Sequence, residues 1–304
     1  MAIAQPLEAD RAPAAGPAAW WPPVRRAGSM LLILLVLAGA WEGYKALGAA
    51  TQGVVPFTTL PLPVRADDKS MPHIGTILGT LFQPARRGGE LMLWQILLEA
   101  ALFTWREALA GFVLGSLVGF LLGVVFVHSS LLERGLMPYV VASQTVPLLA
   151  IAPMVVIWGS RLNWPAWTSV TMISAYLTFF PVTINTLRGL NSPEPTALEL
   201  MRSYAASRWQ ILWTLRVPAA LPYVFTALKI SASVSVIGAI VGELPSGIPD
   251  GLGRALLTFS YYYITGPEKL YAAILFSALL GLTFVGLVML LERWVVPAQR
   301  RLEQ

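Results

Sequence analysis

The sequence contains no cysteine and only 2 histidines. That excludes a disulfide-stapled secreted scaffold and any Cys/His cluster with metal spacing. Charge is scarce too: Asp, Glu, Lys and Arg make up 12% of the 304 residues, against about 25% in a soluble domain. A soluble fold of this length would lack the charge to cover its surface. There is no G-x-x-x-x-G-K-[ST] run, so the chain carries no nucleotide cradle of its own. No Ser/His/Asp arrangement suggests catalysis. Apolar residues, in contrast, reach 56%, and the mean hydropathy is +0.65. The composition points to an integral membrane protein built of helices. The net charge of +5 is modest. In such a chain basic residues mark cytoplasmic loops rather than a nucleic-acid surface.

A bilayer core of about 30 Å needs about 20 apolar residues per helix. Continuous apolar runs predict about six spans: about Met30–Leu47, Ala108–Val127, Leu136–Trp158, Ala166–Thr186, Ala220–Val241 and Leu270–Val295. The runs do not alternate with period two, which argues against barrel strands. Basic residues set the orientation. With the N-terminus inside, the cytoplasmic side collects Arg25, Arg26, Arg134, Arg188, Arg202, Arg208, Arg216, Arg293, Arg300 and Arg301, among others. The short outer loops then keep only Arg161, Arg254 and Lys269. Both termini are therefore placed in the cytoplasm, behind a loose Ala/Pro-rich lead-in and an uncleaved first span.

Between the first two spans, Leu60-Pro61-Leu62-Pro63 reads as extended or turn-like, because proline lacks a donor and restrains its predecessor. Met71–Phe82 reads as a short helix, and Leu91–Phe103 as a mixed helix at the outer interface. In the second span Gly111, Gly115, Gly119 and Gly123 recur at every fourth position and so share one helix face. Bare of side chains, that face admits another helix at close range. The third span holds Gln144, Pro147 and Pro153. Proline breaks the helical ladder, and the freed carbonyls need protein or a water-filled cavity. Gln144 and Thr145 thus either line a pathway or mark an ordinary buried kink.

Polar groups inside the spans are few. Arg106 and Glu107 are expected at an outer helix end. Lys229 in the fifth span either snorkels or pairs structurally, or faces the pathway. Trp158, Trp164, Trp167, Tyr176, Phe179 and Phe180, and later Phe259, Tyr261, Tyr262 and Tyr263, are ordinary interface aromatics or stacking partners for a planar heteroaromatic solute. Gly242–Gly253 is expected to shape an outer loop.

The longest internal loop, about Arg188–Ala219, predicts two short helices. One starts near Asn191-Ser192-Pro193 and runs through Glu199 to Arg202; the other covers Ser207–Leu215, with Ser207 as cap. Pro218 and Pro222 flank the entry to the fifth span. A compact element joined rigidly to a membrane helix can pass force between a soluble partner and the bundle.

These residues resemble a family. Inner-membrane subunits of binding-protein-dependent ABC importers carry a cytoplasmic signature: E-A-A, three residues, G, nine residues, I-x-L-P. Here Glu199-Leu200-Met201 stands at E-A-A, Ala205 at the glycine, and Leu215-Arg216-Val217-Pro218 at I-x-L-P, with the spacing kept throughout. Two residues of E-A-A and the glycine differ. The runs Ala206–Gln210, Pro218–Pro222, Val146–Pro153 and Gly251-Leu252-Gly253 look like the nitrate/sulfonate/taurine-type branch. Gly242–Gly247 looks similar to its pyrimidine, thiamine-precursor or riboflavin members.

The resemblance implies an all-α permease of the type I importer fold. It implies a cytoplasmic tail over 1–27, a first span over 28–47, a periplasmic segment over 48–103, and a core over 104–304 whose loop 188–219 does the coupling. It implies two ATPase subunits that use ATP and Mg, a periplasmic solute-binding protein, and a second permease subunit, identical or paralogous, all at the bacterial inner membrane. No cofactor would be held by this chain. Glu199, Leu200, Met201, Arg202, Tyr204 and Ala205 would dock the ATPase. Gln144, Thr145, Tyr176 and Phe180 are the pathway candidates. A standalone secondary transporter or channel is the rival reading; it would need midplane coupling residues and often inverted repeats. A membrane-embedded enzyme would need clustered nucleophiles or metal ligands.

Overall fold

The structure is a computed structural model that describes residues 23–55, 60–85 and 89–296. The first 22 residues, most of the expected cytoplasmic tail, and Arg300 and Arg301 lie outside the described residues. Eleven α-helices follow among those described: α1 (Pro23–Ala50), α2 (Ile74–Leu81), α3 (Leu93–His128), α4 (Ser130–Ser143), α5 (Leu148–Arg161), α6 (Ala166–Leu190), α7 (Pro195–Ser203), α8 (Arg208–Ile211), α9 (Val217–Ser246), α10 (Leu252–Tyr261) and α11 (Pro267–Val295). A π-helical turn, Leu212–Arg216, joins α8 to α9. Among the described residues, five stretches are long and apolar enough to cross a membrane: α1 from Gly28, α3, α6, Arg208–Ser246 and α11. The pair α4 and α5 makes a sixth if counted as one bent span.

The chain forms two units, Met1–Ile74 and Gly75–Gln304. In the first, α1 exposes Met30–Leu37 on every side. A helix apolar all round needs lipid or protein about it. Residues 60–74 are tied along its last turns. Trp41 Nε1 donates to the Pro72 carbonyl at 3.1 Å, and Tyr44 Oη to that of Val64 at 2.9 Å. Glu42 accepts from the Ile74 amide at 2.8 Å and sits 2.7 Å from His73 Nδ1. The Lys45 ammonium reaches Asp68 at 2.5 Å and holds that carboxyl below the usual aspartate range.

The second unit is built around α6, which packs between α3 and α9. On the α3 side the contact is made by glycines. A Cβ on Gly111 would stand 2.4 Å from Ser174 Cβ, on Gly115 2.5 Å from the Ala175 carbonyl oxygen, on Gly119 2.5 Å from that of Phe179, and on Gly123 2.7 Å from Thr186 Cγ2. At Gly115 and Gly119 backbone therefore meets backbone, and at Gly111 and Gly123 it meets the small side chains of Ser174 and Thr186. Gly238 and Gly242 of α9 approach α6 from the other side, where a Cβ would come within 3.0 Å of Ser174 Cα and 3.2 Å of Val170 Cγ1. Small hydroxyls stitch the layers: Ser174 Oγ donates to the Ser235 carbonyl at 2.7 Å, and Ser231 Oγ to the Thr178 carbonyl at 3.4 Å. Where lipid removes the hydrophobic drive between helices, such packing is what holds a bundle. Lys229 pairs with Glu292 of α11 at 2.9 Å, joining α9 to α11.

Three expectations change. The helix expected at the interface over Leu91–Phe103 is the beginning of α3. Nothing breaks the ladder between Phe103 and Ala108, and Leu93, Leu97, Ala100 and Ala101 are buried in the core beside Ile248 and Leu252. At 36 residues, α3 is about 54 Å long, well beyond a bilayer core. The third span is not one helix: α4 and α5 meet at 100° across Gln144–Pro147. Pro147 caps α5, where its missing N–H costs nothing. Finally, Gly242 and Glu243 lie inside α9 and are buried, so the loop after this helix spans only Gly247–Gly251.

Candidate functional site

The loop after α6 is fastened at both ends. Leu190 and Leu212 are fully buried with Ala220 in one small cluster. The Arg216 guanidinium donates to the Leu190 carbonyl at 3.3 Å and to Asn191 Oδ1 at 3.2 Å. A Cβ on Gly189 would touch Ala220 at 2.9 Å, so the end of α6 lies hard against the start of α9. Asn191, expected as a cap of the next helix, instead ends α6, and Ser192 bonds back to Gly189. The short helix starts at Pro195, in the first-turn position where proline loses no bond.

The end of α7 is a tight two-bond turn. The Ala206 amide donates to the Met201 carbonyl at 3.0 Å and the Ala205 amide to that of Arg202 at 2.9 Å. These are the 6→1 and 5→2 bonds of a Schellman cap. Such a cap needs a left-handed residue, and Ala205 supplies it with φ = 53°. Alanine thus occupies a conformation that favours glycine, at the position where the signature has glycine. Ala205→Gly is expected to stabilise the chain by about 0.5–1 kcal/mol, or about 1–3 °C in thermal midpoint. Ala205→Val should lower it. Thermal unfolding of the purified chain in one detergent checks both.

Ser207 then opens α8 with a reciprocal capping box. Its amide donates to Gln210 Oε1 at 2.7 Å, and its hydroxyl accepts from the Gln210 amide at 3.3 Å. The helix does not stop at Pro218. Proline cannot donate to the carbonyl four residues back, and the ladder widens into the π turn just before it. Arg208–Ser246 is consequently one element, stiff from the loop into the bundle. The His128 and Trp209 rings, with centroids 5.6 Å apart, add a contact to the end of α3.

Between these anchors α7 buries no residue. Leu198 and Met201 lie half-buried on one side, while Glu199, Leu200, Arg202, Tyr204 and Ala205 are exposed. Leu200 is 58% and Tyr204 76% accessible; nearby Trp209 and Trp213 stand at 63% and 58%. A rigidly held helix that presents large apolar side chains to solvent has the character of an interaction surface.

The pathway candidates fall at the α4–α5 break. Ser143 and Gln144, Tyr176 and Phe180 of α6, and Ile230 and Val234 of α9 line a cleft of about 220 Å³. The Tyr176 hydroxyl donates to the Ser143 carbonyl, one of those freed by the break. Thr145 is exposed, bonded to Ala142, and outside the cleft lining. Phe259 and Tyr262 lie elsewhere, in an open cavity of about 1050 Å³ with Glu99, Phe103, Asp250 and Arg254.

One group of residues escaped the sequence reading. Glu243 and Glu107 are 0% and 2% accessible, where a loop and a helix end were expected. Thr104 Oγ1 lies 2.6 Å from Glu243 Oε1 and donates to it. The amides at the start of α10 close the network: Gly253 N–H donates to Glu243 Oε2 at 2.5 Å, and Leu252 N–H to Thr104 Oγ1 at 2.8 Å. A signal existed, because Glu107 is four residues before Gly111 and so continues the glycine face.

Comparison with known proteins agrees with this architecture. Residues 111–300 match the model of the binding-protein-dependent transport system inner membrane component family. The formylaminopyrimidine transport permease protein ThiX of Halalkalibacterium halodurans is 34% identical over 194 residues, covering 63% of this chain and 74% of the relative. The riboflavin transport system permease protein RibX of Chloroflexus aurantiacus is 33% identical over 227 residues, 74% of this chain and 79% of the relative. Among solved structures, an amino acid ABC transporter crystallised with histidines aligns over 66% of this chain and 94% of its own, with TM-score 0.53 and 19% identity, a likeness of fold. The chain therefore belongs to the inner-membrane permease family of binding-protein-dependent ABC importers. In that family the permease is not the catalyst; ATP hydrolysis belongs to a separate subunit, and solute comes by way of a binding protein. As a family member the chain is a multi-pass protein of the inner membrane.

Proposed function

We propose that α7 is the element through which a separate ATPase drives this chain. The observation that carries this reading is a helix fixed at both ends, with no fully buried residue and a broad open face, placed on the signature spacing. Glu199 anchors the ATPase groove by its charge, and Leu200, Met201, Tyr204 and Ala205 fill it, with Arg202 at the rim. Two permease subunits and two ATPases make the working assembly, with ATP and Mg bound by the ATPases. Both termini and α7 face the cytoplasm. ATP binding draws the two α7 elements together, and because Arg208–Ser246 is one stiff unit the movement reaches the bundle.

The solute route passes the α4–α5 break. Gln144 supplies hydrogen bonds there, and Tyr176 and Phe180 supply ring faces suited to a planar heteroaromatic solute. The formylaminopyrimidine and riboflavin relatives support that class. Proteoliposomes containing the chain, its ATPase and its binding protein should take up such a solute only with ATP. Tyr176→Leu with Phe180→Leu is expected to cut uptake about tenfold while ATPase co-purification stays unchanged. Unaltered uptake would remove the rings from the route, and uptake by the chain alone would favour a secondary transporter.

A further inference from the structure

The network around Glu243 has one member without a role. Glu107 stands one helical turn after Thr104, whose hydroxyl reaches Glu243, so the two buried carboxyls face the same spot between α3 and α9. Yet Glu107 is 2% accessible, and no N–H or hydroxyl donor reaches either of its oxygens. Glu243 has one donor at each oxygen, the Thr104 hydroxyl, which also lies 3.0 Å from the Ala100 carbonyl, and the Gly253 amide at the positive end of α10. Two carboxylates side by side and out of water repel, and each carries a desolvation cost. Surrounding charges relieve them little. Arg106 beside Glu107 is the nearest cation, and it is exposed on α3. Glu99, Asp250 and Arg254 line the open cavity, and Lys269 of α11 donates to the Ala85 carbonyl. α6 carries no charge before Arg188.

We infer that Glu107 and Glu243 hold one proton between them, and that this proton latches the start of α10 onto α3 and α9. Glu107 is the donor the pair otherwise lacks, and Glu243 keeps its acceptor bonds to Thr104 and Gly253. The glycines make room for it: a Cβ on Gly251 would stand 2.4 Å from the Glu243 carboxyl carbon, and on Gly253 2.8 Å from Glu243 Cβ. Because Gly251 also lines the cavity, the latch sets how firmly one cavity wall is held. Losing the proton leaves two buried charges and loosens α10 at its N-terminus.

The test uses the full-length chain in lipid nanodiscs. A proton held by the folded chain and released on unfolding makes stability fall as pH rises. Between pH 5.5 and 9 the wild-type midpoint should drop by on the order of 5 °C. Glu107→Gln keeps the shape and supplies a fixed N–H donor; its midpoint should be insensitive to pH over that range and exceed wild type at pH 9. Infrared spectroscopy gives a second readout: wild type at pH 7 should show the carbonyl stretch of a protonated carboxylic acid, which vanishes at pH 9, and Glu107→Gln should lack it. A wild type with no such band, a Glu107→Gln profile as steep as wild type, or a midpoint that rises with sodium at fixed pH would each overturn the shared proton.

Discussion

Gly115→Leu is expected to abolish accumulation of folded protein, and Gly115→Ala or Gly119→Ala to destabilise it by about 1–3 kcal/mol each. The reason is the distance between backbones. A methyl on Gly115 meets the Ala175 carbonyl oxygen at 2.5 Å, and one on Gly119 meets that of Phe179 at the same 2.5 Å. Neither neighbour can swing aside, because both are main chain inside α6. α3 would have to withdraw bodily, and every small-residue contact along it would open. Leucine adds three further carbons where one does not fit. The control is Gly286→Ala on α11, where a Cβ would meet nothing within 4 Å. There alanine should be neutral or should add up to about 1 kcal/mol through helix propensity. The same substitution thus has opposite signs on two helices of similar composition, and fluorescence-detected gel filtration with thermal challenge distinguishes them. Equal behaviour of Gly115→Ala and Gly286→Ala would mean that α3 and α6 are not in backbone contact.

How far the sequence reaches can be seen in these residues. A period of four in Gly111, Gly115, Gly119 and Gly123 marks a face by arithmetic alone, and the face lies where helix geometry puts it. Apolar runs place the spans for the same reason: the bilayer leaves a chain no other option. The loop motif is legible because spacing survives substitution. Ala205 shows why: the backbone keeps a left-handed turn at that position without the residue that makes it easy. What the sequence hides is tertiary. Pro147 signals a break but not its 100° angle, which depends on what α4 and α5 pack against. Thr104 and Glu243 are 139 residues apart, and only folding brings them to 2.6 Å. Glu243 looked like loop because Pro245 and two glycines surround it. Yet Gly242 is there for close packing on Val170, and Pro245 sits in the final turn of α9.

Glu199→Lys is expected to lower ATP-driven uptake and recovery of the ATPase with the chain by tenfold or more, with no change in the thermal midpoint of the isolated chain. The separation of the two readouts follows from exposure. Glu199 is on the open side of α7, a helix that buries nothing, and surface substitutions of this kind usually shift stability by no more than about 0.5 kcal/mol. At an interface the same reversal acts differently. If α7 is the docking element proposed above, the reversal removes a carboxylate from a covered site and sets a second cation three residues from Arg202. Truncating one member of a desolvated charge pair costs about 2–5 kcal/mol, and every 1.4 kcal/mol is about tenfold in affinity. Tyr204→Ala tests the apolar part of the same surface. With 76% of Tyr204 accessible in the free chain, its removal should also leave the midpoint alone and weaken ATPase recovery. Compensation gives the decisive arm: a basic-to-acidic change in the ATPase groove should restore uptake with Glu199→Lys and not with Tyr204→Ala. If both variants transport normally while folding normally, α7 is an exposed loop helix and the motor grips the chain somewhere else.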